Sequence, residues 1–213
     1  MRKRIYLNLA FLCFTLVGFS QEGLSLKTGK NFTKFNYIDK QGNSPGGLLQ
    51  SDVGSWYSFG YARPFSEDRY GHPFFTLESA LSIGDYNSVV GVKGASYQWK
   101  TVYVGIDNSI IFSLINAEYV GVGARLGLNF ASIVYGKENI DGVVYDIKGA
   151  DGFRGMTFQG VVGLQANLFP SKVVSYTIGY DYLSSLNTSV KSPEKLSLAT
   201  NRFWVGVNLN INN

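Results

Sequence analysis

Beyond residue 20, apolar and polar side chains alternate with a period of two, which places successive residues on opposite faces of a β-strand. The pattern recurs in eight stretches. It is clearest at the C-terminus, where Phe203, Val205, Val207, Leu209 and Ile211 alternate with Arg202, Trp204, Gly206, Asn208 and Asn210. The sixth stretch sets Met156, Phe158, Val162, Leu164, Ala166 and Leu168 against Thr157, Gln159, Gly163, Gln165 and Asn167. The tight turn Pro170-Ser171-Lys172 follows, and then a seventh stretch with Val174, Tyr176, Ile178, Tyr180 and Tyr182 opposite Ser175, Thr177, Gly179 and Asp181, so that these two predict a hairpin.

The fifth stretch sets Val120, Val122, Ala124, Leu126, Leu128 and Phe130 against Gly121, Gly123, Arg125, Gly127 and Asn129. The fourth, between Tyr97 and Phe112, is less regular. Val102, Val104, Ile106, Ile110 and Phe112 mark one face, while Tyr103 and Ile111 are assigned to the other with Lys100, Asp107 and Ser109. In the third, Phe75, Leu77, Leu81 and Ile83 oppose Thr76, Glu78, Ala80 and Ser82; the second groups Tyr57, Phe59 and Tyr61; the first, from Leu24 to about Lys34, is marked only by Leu24, Leu26 and Phe32.

Connections alternate in length. Those near 66–73, 113–118 and 170–172 are short; those near 35–52, 85–96, 133–153 and 185–196 are long and rich in Gly, Asn, Asp, Ser and Lys. An even number of strands puts both termini on the short-turn side. No internal repeat interrupts this plan, so one up-and-down barrel accounts for residues 21–213.

Residues 1–20 read as a signal peptide. Arg2, Lys3 and Arg4 precede the apolar stretch Ile5 to Phe19, which is shorter than the roughly twenty residues of a membrane helix, and Gly18 and Ser20 predict cleavage before Gln21. Cys13, the only cysteine, should leave with it, so no disulfide and no thiol nucleophile is expected. The formal net charge is +4, but three of the nineteen Lys and Arg lie in this leader, leaving sixteen cations against fifteen acids. The basic stripe of a nucleic-acid binder is missing, and that partner class is set aside.

Alternation alone fits both a membrane barrel and a soluble lipocalin-like carrier. Two observations favour the membrane. The polar face carries Lys27, Glu78, Lys100, Asp107, Arg125, Asp181 and Arg202, opposite charges that can pair inside a narrow closed lumen. Aromatics also gather at both strand ends: Phe65, Phe75, Phe112, Tyr119, Phe169 and Tyr176 beside the short turns, and Tyr97, Trp99, Phe158, Tyr180 and Tyr182 toward the long loops, like two interfacial girdles.

Signal peptide, eight alternating strands, short turns and long loops together resemble the small outer-membrane barrels of the OmpA and OmpX type. Phe19-Ser20-Gln21 resembles the signal end of Bacteroidota exports. The resemblance implies an eight-stranded antiparallel up-and-down transmembrane β-barrel with short periplasmic turns, long extracellular loops and both termini in the periplasm. It also implies outer-membrane lipid and lipopolysaccharide as surroundings. The chain departs from the pattern at its end, Ile211-Asn212-Asn213, where such barrels often carry an aromatic residue.

Some barrels of this kind modify lipid A with His and Ser near the outer rim. Here the sole histidine, His72, falls in the short turn Tyr70-Gly71-His72-Pro73, at the opposite end. Glu78, Asp107 and Asp181 could serve a carboxylate-based hydrolase, but as partners of Lys27, Lys100, Arg125 and Arg202 they form a lumen plug. Asp39, Asp52, Asp141, Asp146 and Asp151 lie in loops without an EF-hand pattern, and Asp141-Gly142 and Asp151-Gly152 are turn dipeptides. No catalytic, cofactor or metal site is expected. The expectation is a non-enzymatic structural barrel, or an accessory subunit of a larger outer-membrane protein complex, with a lipid-modifying enzyme or narrow channel as the alternative.

Overall fold

The computed structural model describes residues 23–38, 41–42, 49–67, 73–92, 95–149, 153, 156–169, 173–185 and 195–211. The leader with Cys13 and Gln21, together with Asp39, His72, Asp151 and Pro170-Ser171-Lys172, lies outside them.

Nine strands and no helix are present among the described residues: β1 (Gly23–Ile38), β2 (Leu49–Glu67), β3 (Pro73–Val92), β4 (Ala95–Asn116), β5 (Val120–Ile140), β6 (Val143–Asp146), β7 (Met156–Leu168), β8 (Val174–Ser185) and β9 (Lys195–Asn210). Every pairing is antiparallel. Eight strands form a ring in chain order, which β9 closes by pairing with β1 from Gly23↔Asn210 to Ile38↔Lys195, while β6 is an appendage of β5. Closure leaves no edge among the eight, as a wall facing hydrocarbon requires.

The ring is staggered. Partner by partner, Gly84, Trp56, Gly29, Trp204, Gly179, Gln165, Gly123 and Ser113 lead through all eight strands and end one residue past the Phe75–Phe112 pair. That is a drop of roughly ten residues along β3, the offset of strands tilted by about 40°. The same path shows how the narrow bore holds two indoles, since both face inward between glycines. A Cβ at Gly179 would enter the ring of Trp204, and one at Gly84 would stand 3.0 Å from Trp56.

The outer wall is apolar and exposed: Leu81 and Ile178 are 61% exposed, Val162 57% and Phe203 56%. The inward face of the ring buries Glu78, Asp107, Arg125, Asp181 and Arg202. A soluble barrel puts apolar groups inside; this polarity is the reverse, and the lipocalin-like reading falls.

Toward the long loops the polarity inverts. On β3 the outward series Phe75, Leu77, Leu81, Ile83 gives way to Asp85 and Asn87, while the inward series turns from Glu78 and Ser82 to Tyr86. On β4, Lys100 and Gln98 face out above Val102, and Trp99 faces in above Asp107. The strands therefore run on past the hydrocarbon into water, where their interior becomes an ordinary apolar core. Two segments expected to be loops are consequently strand. Residues 85–92 and 95–96 continue the β3–β4 pairing to Val92↔Ala95, and 133–153 contains the end of β5 and all of β6. Asp141 and Gly142, with φ of 49° and 89°, make the tight turn between β5 and β6 that their dipeptide predicts.

Candidate functional site: the filled interior of the barrel

Six of the seven charged residues expected in the lumen meet there. Glu78 on β3 lies between two cations, with Lys27 Nζ 2.5 Å from one carboxylate oxygen and the Arg125 guanidinium 3.0 Å from the other. Arg125 also donates through Nε to Ser109 Oγ at 3.0 Å and approaches Asp181 at 3.6 Å. Arg202 stands 3.8 Å from Asp107, donates through Nε to Asn31 Oδ1 at 3.0 Å and reaches the Tyr86 hydroxyl at 3.1 Å. Asn129 Nδ2 donates to the remaining oxygen of Asp107. Every charged member is buried.

The two tryptophans form part of this network. Lys27 Nζ lies 4.4 Å and the Arg125 guanidinium 5.6 Å from the centroid of Trp204, and Arg202 lies 4.1 Å over Trp56, so each cation also meets a π face. Neither indole, nor the residues lining the bore around them, is marked by alternation, which registers only that a position faces inward.

Lys100 is not a member. It is exposed on the outer face, opposite Asn87 on β3 and Lys137 on β5. The reason is parity: residue 100 shares its side of β4 with Val102 and Val104, and the bulge beside Val102 and Tyr103 is on β5, where Val134 is the additional residue. Without Lys100, three cations face three acids and the network is formally neutral.

Above the charges sits an apolar plug of Phe35, Tyr86, Trp99, Tyr103, Ile133, Ile147 and their neighbours. Phe35, Trp99 and Phe153 pack as an aromatic triad with ring centroids 5.4 to 6.0 Å apart. Tyr86 meets Tyr103 edge to face at 5.3 Å. Ile147 is drawn in after β6 by its amide, which donates to Gly136 O at 3.1 Å. Trp99 and Tyr97 were expected in the girdle toward the loops; Trp99 is instead 7% exposed inside the plug, donating to Glu138 at 2.7 Å, and Tyr97 packs against it. Tyr119, Phe158, Tyr176 and Tyr182 do face outward.

Among the described residues no group of three or more His, Cys, Asp and Glu is placed to hold a metal ion. A shallow apolar groove of about 930 Å³ lies on the outer wall, along Leu26, Tyr57, Phe59, Leu81 and Val205.

No protein-family model and no curated protein matches the chain. Among solved structures it is similar to Neisserial surface protein A, at 15% identity with a TM-score of 0.48 over 87% of this chain and 96% of that one. It is also similar to the outer membrane protein OprG from Pseudomonas aeruginosa, at 12% identity and 0.48 over 92% and 99%. The chain's own closed ring of eight strands and apolar outer wall make the fold an antiparallel up-and-down β-barrel with the polarity of a membrane protein. The chain is similar as well to the outer membrane protease OmpT from Escherichia coli, at 10% identity and 0.42 over 90% and 96%; a fold does not by itself fix a function, which has to be argued from the site.

Proposed function

We propose that this chain is a non-enzymatic, integral outer-membrane protein that acts as a structural element of the envelope or as an accessory subunit of a larger outer-membrane assembly. In this reading the short turns and both termini are periplasmic, and the β3–β4 and β5–β6 extensions stand outside the cell. The observation that carries it is the interior. Its acids are engaged with cations or with the Asn129 amide in a buried, neutral network, and the mouth above them is filled by aromatic rings. Charges already paired with one another, under a packed aromatic mouth, favour the wall and the extensions as the working surfaces. Lys30, Lys34, Lys100 and Lys137 on the outward face, above or near the upper edge of the apolar band, supply cations for lipopolysaccharide phosphates.

The test is extraction of tagged protein from outer membranes in mild detergent, followed by native separation and mass spectrometry, with lipid A from the same cells analysed in parallel. A stoichiometric companion supports the accessory role and a lone barrel the free-standing one. Lipid A that changes mass on overexpression of this chain would overturn the non-enzymatic reading.

A further inference from the structure

One polar pair stands where the wall should be wholly apolar. Ser79 on β3 and Asn108 on β4 are cross-strand partners, both exposed on the outer face, and Ser79 Oγ donates to Asn108 Oδ1 at 2.8 Å. Their depth matters. Along β4 the outward residues are Val102, Val104 and Ile106 on one side of Asn108 and Ile110, Phe112 and Leu114 on the other; along β3, Phe75 and Leu77 stand below Ser79, with Leu81 and Ile83 above. Both residues thus occupy the middle of the hydrocarbon band. Other outward polar groups differ in kind: Asn201 accepts from the Tyr180 hydroxyl, and Thr28, between Tyr57 and Val205, carries a hydroxyl and no amide.

The hydrogen bond satisfies Ser79 but leaves the Asn108 Nδ2 donors with no partner among the described residues, facing acyl chains that offer none. An amide without a partner at that depth is costly, and polar side chains between membrane segments lower that cost by bonding across the contact.

We propose that the β3–β4 wall is a homodimer interface, with a second copy of this chain as its occupant and Asn108 at its centre. Two copies inserted in the same direction hold Asn108 at the same depth without further adjustment. Its amide is its own complement. Across a two-fold axis along the membrane normal, each Nδ2 donates to the free lone pair of the other Oδ1, closing a reciprocal pair of bonds. Leu77, Leu81, Ile106 and Ile110 surround that point and exclude lipid from it. A different barrel would need a polar group of its own at the same level. The proposal is independent of the accessory role, since a homodimer can form with or without a companion protein.

The experiment introduces Ile110→Cys, or Ile178→Cys on the opposite wall as control, and treats native outer membranes with a short bismaleimide linker. A dimer of this chain captured at position 110 and not at 178, reduced several-fold when Asn108→Leu is added, is the expected result. In micelles, Asn108→Leu is expected to weaken dimerisation about 3- to 20-fold, the range of hydrogen bonds between membrane segments. Retained heat-modifiable mobility on electrophoresis shows that each variant has folded. Equal capture at both positions, indifference to Asn108→Leu, a different protein captured at position 110, or a monomer at all concentrations would each overturn the proposal.

Discussion

Replacing Glu78 with Gln preserves shape and removes one charge, and the structure sets the consequence. Glu78 faces Lys27 at 2.5 Å and Arg125 at 3.0 Å, with side chains 1 to 3% exposed, so the substitution leaves two buried cations whose remaining contact with an acid is the longer Arg125–Asp181 approach at 3.6 Å. Removing one partner of a buried pair costs about 3–5 kcal/mol, and a residue that bridges two cations belongs toward the upper end of that range. Adding Lys27→Met restores balance, because Arg125–Asp181 and Arg202–Asp107 then remain. The double variant should therefore recover about 2 kcal/mol relative to Glu78→Gln alone, a coupling typical of contacting residues. Denaturant titration in lipid vesicles provides the assay, followed by tryptophan fluorescence. The chain has three tryptophans, and Trp56 and Trp204 lie against the network while Trp99 lies in the plug. A Glu78→Gln cost below about 1 kcal/mol, or single costs that simply add in the double variant, would refute the picture of a buried, tightly coupled charge network.

Gly179→Ala places a methyl group in the ring of Trp204 and should destabilise by about 1–3 kcal/mol in the same titration. Lys100→Gln should change stability by less than about 0.5 kcal/mol, since Lys100 is exposed; a loss as large as that of Arg202→Gln would place it back in the lumen. Gly142→Ala, at a φ of 89°, should strain the turn by about 1 kcal/mol or more and raise amide hydrogen exchange from Val143 to Asp146 while sparing the ring. Phe35→Ala should remove about 3–5 kcal/mol of packing and produce intermittent ion conductance in planar bilayers, where the unaltered chain should remain closed.

Facing was legible within the hydrocarbon band because lipid outside and charge inside give each strand opposite demands at every other residue. Glu78, Arg125 and Asp181 could be placed from that alone. Which cation meets which acid could not, because it depends on the stagger that brings Lys27 of β1 to Glu78 of β3 across the bore. The fourth strand looked irregular since Tyr103 and Ile111 are apolar and nonetheless point inward, and in that irregularity Lys100 was grouped with the wrong side. The extensions were missed for a related reason. Where Ile83 outward is followed by Asp85 outward and Tyr86 inward, a period of two persists with its phase reversed. Read as a single pattern, that reversal breaks the alternation and resembles a loop.

The reversal also fixes the height at which the barrel floats. Sinking it by half the thickness of a bilayer would bring Lys34, Asp85, Lys100 and Lys137 into hydrocarbon, and each lysine alone would cost about 2–4 kcal/mol at the midplane. The collar acts as a buoy. With the collar in water, retreat into the bilayer is uphill, and that collar holds the barrel at its depth.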